Sequence, residues 1–210
     1  MIEPITDGPV RGFLHRPVQP SGDGIVLAHG AGSNCQAPLL LAVAREFEAA
    51  GIAVLRCDLP FRQARPSGPP SPGAAALDRE GLRAAAAVLR RIAGGRVYLG
   101  GHSYGGRQAS MLAASDPGAA EGLLLLSYPL HPPRRPTELR TAHFPKLATK
   151  VVFVHGSRDP FGTLEEMRSA LALIPAVTAL VEIEGAGHDL KRGETPARAL
   201  EAFLKCGAGR

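Results

Sequence analysis

Apolar residues along this chain fall into short unbroken runs, separated by stretches in which they recur at helical spacing. Residues 24–29, 52–55, 96–100, 122–128, 151–155 and 178–183 are the runs. Their length and β-branched content predict six strands buried on both faces, and residues 10–15 predict a seventh. Between them, residues 38–50 place Leu40, Leu41, Val43, Ala44 and Phe47 on one helical face, closed by Gly51. Residues 75–93 form an alanine-rich helix with Leu77, Leu82, Val88, Leu89 and Ile92, stopped by Gly94 and Gly95. Further helices are predicted over 107–114, ending near Asp116, and over 163–174, with Thr163 as cap and Pro175 as stop. A closing helix spans 195–205, with Thr195 as cap and Pro196 at its first position.

Continuous apolar strands alternating with amphipathic helices define an α/β protein. The expected architecture is a mostly parallel sheet of about six to seven strands with helices on both faces. No internal repeat and no linker divides residues 1–210, so a single domain is expected. Two stretches break the rhythm: 61–73, rich in proline and glycine, and 129–150, with five prolines and a short helix candidate near 137–141. Both follow the carboxyl ends of strands, the edge at which open α/β sheets bind ligands. Loops of this length serve function or motion.

Composition narrows the field. No apolar run approaches the ~20 residues that span a bilayer, and the first nine residues lack a secretory-signal core. No membrane association is expected. The net charge is +5, with 20 of 24 basic residues arginine, but contiguous basic runs are no longer than pairs and carry no interleaved aromatics. No nucleic-acid partner is expected. Cys35, Cys57 and Cys206 are an odd number without metal-type spacing, as befits free thiols in a reducing cytoplasm. No metal or cofactor is implied, and the sequence sets no oligomeric state.

The chemistry lies in Gly101-His102-Ser103-Tyr104-Gly105-Gly106, between a predicted strand and a predicted helix. Gly-x-Ser-x-Gly in that setting is a nucleophile elbow. Tight approach at Gly101 and Gly105 excludes side chains, and the turn lifts the Ser103 hydroxyl clear of the sheet. The Tyr104 N–H, at the helix start, can meet a developing negative charge. Acyl transfer by serine also needs a base, an orienting carboxylate and a second oxyanion donor. In this order of elements the acid precedes the base. Asp159, in a turn closed by Pro160 after the 151–155 strand, is the leading acid, although alone it reads more readily as a turn or helix-cap residue. Glu182, Glu184 and Asp189 are rivals. His188, approached through Gly185 and Gly187, is the base, 29 residues after Asp159. His29-Gly30-Ala31-Gly32 supplies the second oxyanion donor, assigned to the Ala31 N–H with Gly32 as competitor. His29, His102 and His155 read as supporting residues. Gly32, His131, His143 and Phe161 are candidates to line the substrate site, and Cys35, near the Ala31 loop, reads as a loop or helix-start thiol.

On these motifs, together with Gly156-Ser157-Arg158-Asp159-Pro160-Phe161 and Gly187-His188, the chain resembles the α/β-hydrolase superfamily. More narrowly, it is similar to the small lidless group related to dienelactone hydrolases. Within that group it is similar to bacterial proteins akin to testis-expressed protein 30 and to the hydrolase-like subunit of a histone-acetyltransferase complex. The resemblance spans residues 24–205 and implies the α/β-hydrolase fold. Ser103 stands where dienelactone hydrolases carry cysteine, so their lactone substrate is not implied. About 20 residues follow the strand at 122–128, where larger relatives insert lids, so no cap domain and an open cleft are expected. The expected activity is hydrolysis of a small acyl substrate, a carboxylic ester or thioester, through an acyl-enzyme on Ser103. The alternatives are an acyltransferase with the same residues or a non-catalytic interaction module that keeps the fold.

Overall fold

The computed structural model describes residues 1–71 and 73–206. Pro72, within the 61–73 loop, and residues 207–210, at the end of the expected domain, lie outside the described residues. Eight strands form one sheet: β1 (Ile2–Asp7), β2 (Val10–His15), β3 (Gly24–Ala28), β4 (Ala53–Cys57), β5 (Val97–His102), β6 (Gly122–Leu126), β7 (Lys150–Gly156) and β8 (Thr178–Ile183). Their spatial order is β1-β2-β4-β3-β5-β6-β7-β8. The pairs β1–β2 and β2–β4 are antiparallel, and every other pair is parallel.

Strands β3 to β7 are buried along almost their whole length, which is why they read as unbroken apolar runs. Successive residues alternate between two cores. Val26, Leu99, Leu123 and Val151 face one core, while Ile25, Leu27, Leu124 and Val152 face the other. Helices α3 (Ala74–Ala93), α4 (Tyr104–Ser115) and α5 (Leu164–Leu171) cover the first face; α1 (Pro38–Ala49) and α6 (Thr195–Cys206) cover the second. Leu40, Val43, Ala44 and Phe47 of α1 meet Ala199 and Phe203 of α6 there, with the Phe47 and Phe203 rings 5.1 Å apart. A short helix, α2 (Pro60–Ala64), precedes α3.

Several expectations are corrected. The sheet has eight strands rather than six or seven. The extra strand, β1, is an antiparallel edge strand whose residues are mostly exposed, so its sequence shows no apolar run. No helix forms at 137–141. The backbone there is claimed from a distance: the Arg140 N–H donates to the Leu130 carbonyl, and the Tyr128 hydroxyl donates to the Arg140 carbonyl. A single 3₁₀ turn, Phe144–Lys146, follows instead. The 61–73 loop begins as helix, because Pro60 sits in the first turn of α2. Thr163 does cap α5, in a reciprocal pair with Glu166. That helix closes at Leu171, where i→i−3 bonds tighten the chain before Pro175. Thr195 lies inside α6 and its hydroxyl donates to the Leu190 carbonyl, so it ties the helix to the preceding loop rather than capping it.

Candidate active site

Ser103 stands between the end of β5 and the start of α4, with φ 52 and ψ −113. This left-handed backbone is strained for serine. The Ser103 N–H donating to the Leu126 carbonyl at 2.8 Å, and the Arg107 N–H donating to the Ser103 carbonyl at 2.9 Å, hold it. A side chain at Gly105 would place its Cβ 2.6 Å from the His29 carbonyl oxygen. The crowding at Gly105 therefore comes from the chain leaving β3, not from β5 as the elbow pattern alone implies.

Asp159 and His188 come from different loops, and Gly156 brings them together. A Cβ there would collide with the carbonyl oxygens of Ala186 and Gly187. The loop after β7 is then stitched to the loop after β8: Ser157 N–H donates to Ile183, and Arg158 N–H to Ala186, at 3.0 and 2.9 Å. The result is an unbroken chain of hydrogen bonds. His188 Nε2 lies 2.8 Å from Ser103 Oγ, and His188 Nδ1 lies 2.8 and 3.0 Å from the two Asp159 carboxylate oxygens. The Asp159 carboxylate is fully buried, whereas the His188 side chain is 21% exposed. Asp159 also accepts the Phe161 N–H at 2.9 Å, so it starts a turn and faces a histidine at once. The rival carboxylates are engaged elsewhere: Glu182 with Arg168, Glu184 with Ser157, and Asp189 with Lys191.

The loop after β3 lies against Ser103, since a Cβ on Gly30 would sit 3.6 Å from the Ser103 Cβ. The N–H groups of Ala31 and Tyr104 have no acceptor among the described residues. Gly32 lies in the same turn, closed by the Ser33 N–H donating to the Gly30 carbonyl at 3.1 Å. His29 holds the turn from below. Its Nε2 accepts the Leu59 N–H at 3.1 Å, so Nδ1 carries the proton that goes to the Gly30 carbonyl at 2.8 Å. Burial lowers the His29 pKa and keeps this tautomer neutral.

Arg62 was not singled out in the sequence. It is a buried α2 residue whose guanidinium donates to the carbonyls of Ser33 (2.8 Å), Ala31 (2.9 Å), Gly68 (2.9 Å) and Arg65 (3.2 Å). It ties the Ala31 loop to the 61–73 loop. Only long-range contacts reveal this, because an arginine in a Pro- and Gly-rich loop looks like surface charge.

The remaining candidates scatter. Phe161 stacks on His188 with ring centroids 4.1 Å apart. His131 is buried, bonds the Pro132 carbonyl and faces Glu166 at 3.4 Å. His143 shares a 2.8 Å hydrogen bond with Ser110 on α4. Neither of these histidines touches Ser103, Asp159 or His188 by hydrogen bond or ring contact. His102 bonds the His188 carbonyl, and His155 bonds the Gly162 carbonyl, each at 2.8 Å. Cys35 is buried and its thiol is pushed up to about 12, chiefly by desolvation. No group of three or more His, Cys, Asp or Glu side chains able to hold a metal lies among the described residues. No described helix is long and apolar enough to cross a membrane.

Beside the Ser103 chain opens a cavity of about 410 Å³, walled by Ser33, Pro38, Leu39, His102, Leu190 and Pro196. The loop at 129–150 forms no separate cap domain.

A mostly parallel sheet that carries a serine on a sharp strand–helix turn, answered by an aspartate and a histidine from the loops after β7 and β8, defines the α/β-hydrolase class. Comparison with known proteins agrees. The alpha/beta hydrolase domain family matches residues 22–207, and the chain belongs to that family. Among solved structures, the chain is similar to a dienelactone hydrolase from Anabaena variabilis, with a TM-score of 0.75 and 21% identity over 98% of this chain and 97% of that one. It is also similar to Est1E from Butyrivibrio proteoclasticus (TM-score 0.78, 17% identity, 99% and 100% covered). A third is XC6422 from Xanthomonas campestris, described as an α/β serine hydrolase without lid (TM-score 0.73, 17% identity, 98% and 93% covered). These likenesses carry the fold.

Proposed function

We propose that residues 1–210 form a single-domain serine hydrolase that cleaves carboxylic esters or thioesters through an acyl-enzyme on Ser103. The observation that carries this reading is the continuous Ser103–His188–Asp159 hydrogen-bond chain, 2.8 Å at each link. His188 Nε2 takes the Ser103 proton as Oγ attacks the acyl carbon. Asp159 holds the imidazole with its proton on Nδ1 and stabilises the imidazolium that forms. The N–H groups of Ala31 and Tyr104 donate to the oxygen as it becomes negative, with Gly32 flanking them. His188 then returns the proton to the leaving group, and a water activated by the same nitrogen releases the acid.

The apolar cavity beside His102 suits an apolar portion of the substrate. His131 and His143 drop out as substrate contacts in this reading, and Phe161 stays as the ring that steadies His188. We place the chain in the narrower group akin to testis-expressed protein 30 on its four motifs. We place it in the cytoplasm on its free cysteines.

Labelling with a fluorophosphonate probe tests the proposal. The wild-type chain should label at Ser103 and hydrolyse short p-nitrophenyl esters, and Ser103→Ala should do neither. Folded wild-type protein that fails to label would support the interaction-module alternative instead.

A further inference from the structure

Helix α4 and the 129–150 loop build a second cavity, of about 580 Å³, lined by Arg107, Met111, Leu139, Arg140, His143 and Lys146. These two segments carry one carboxylate, Glu138, against Arg107, Arg134, Arg135, Arg140, Lys146 and Lys150. Glu138 lies near enough for Arg140 to feel its charge, but its ion pair is with Arg135, at 3.3 Å. Arg107, Arg140 and Lys146 form no ion pair among the described residues. Arg140 spends one guanidinium nitrogen on the Pro129 carbonyl at 3.3 Å. Arg107 Nε is buried without an acceptor, an arrangement that folded proteins rarely leave unmatched.

His143 reports the local potential. Burial, and then the Arg107 charge, push its pKa down to about 4, so the ring is neutral at pH 7 while it bonds Ser110. Three cations converge on one concave surface with no anion of their own. Mutual repulsion opposes that arrangement unless a counter-ion joins it.

We propose that this cavity is an anion-binding site for a phosphate-type group, held by Arg107 and Arg140 with Lys146 as the third charge. Guanidinium forks match the paired oxygens of a phosphate, and an ammonium adds a point charge from any side. Three cations suit a dianion better than a single carboxylate. The phosphate is either free or part of a larger ligand. The site starts one helical turn beyond the nucleophile, since Arg107 follows Ser103 by four residues, about 6 Å of helix rise. It does not depend on the hydrolytic reading.

Calorimetric titration of the full chain at low salt tests the site with two probes, inorganic phosphate and coenzyme A. Phosphate should bind saturably and more weakly as salt rises. Lys146→Gln, at an exposed side chain, should weaken binding about tenfold, and Arg107→Gln with Arg140→Gln should abolish it. Tighter binding of coenzyme A in competition with phosphate would place the phosphate on a larger ligand. Phosphate that coenzyme A cannot displace would identify the free anion. The absence of saturable heat with both probes overturns the proposal, as does wild-type affinity in Lys146→Gln and the double variant. Fluorophosphonate labelling of Lys146→Gln reports on Ser103 separately, so the two proposals fail independently.

Discussion

The His102 imidazole donates from Nε2 to the backbone carbonyl of His188, at 2.8 Å. The carbonyl can only accept, so the proton sits on Nε2, and burial lowers the His102 pKa so that the ring stays neutral. The residue before the nucleophile thus holds the chain of the proposed base, with the two rings 5.2 Å apart. His102 is a positioning residue. His102→Ala should lower kcat by up to about 100-fold, the scale set by ångström-sized misplacement of a reacting group. His102→Gln keeps an N–H donor and should recover part of the loss. Steady-state kinetics on a short p-nitrophenyl ester decides this, and an unchanged kcat in His102→Ala would refute the role.

Asp159 presents a buried carboxylate to His188 Nδ1 and accepts the Phe161 N–H. Asp159→Asn keeps the size of the side chain but offers an N–H where an acceptor is needed, which favours the wrong imidazole tautomer. The expected loss in kcat is about 10⁴-fold with the fold retained. Kinetics beside circular dichroism checks it; activity within tenfold of wild type would return the acid role to Glu182, Glu184 or Asp189.

Arg62 fixes the carbonyls of Ala31 and Ser33. Removing one oxyanion donor outright costs about 10²–10³-fold in serine hydrolases. Arg62→Met, which only loosens the loop that carries such a donor, should cost about tenfold in kcat. A trifluoromethyl ketone, which becomes an oxyanion when bound, should lose affinity in parallel while KM holds. A variant that loses thermal stability but binds the ketone as before would mark Arg62 as structural only.

The cysteines should differ in reactivity. Cys35 is buried with its thiol pushed up to about 12, and the wholly buried Cys57 is raised further by desolvation, whereas Cys206 is partly exposed. The thiolate is the reactive form, so native protein at pH 8 should react with a disulfide reagent at Cys206 and release the other two only on unfolding. Rapid labelling of Cys35 in the native state, followed by peptide mass mapping, would contradict its burial.

What the sequence determined by itself is local or ordered along the chain. Buried parallel strands read as unbroken apolar runs, because both faces of β3 to β7 are covered. The Ser103 turn is legible because its glycines answer to backbone crowding within a few residues. Asp159 and His188 are legible because each lies just past a strand, in fixed order after Ser103. Strand β1 is not legible, because an exposed edge strand needs no apolar pattern. Only the tertiary structure decided that His143 belongs with Ser110 and Arg107 rather than with Ser103, that Arg62 grips the Ala31 loop, and that Gly156 lets two loops meet. The physical reason is the same in each case. These relations join residues far apart in the chain, and a hydrogen bond or a charge acts through space while leaving no periodic mark on the sequence around it.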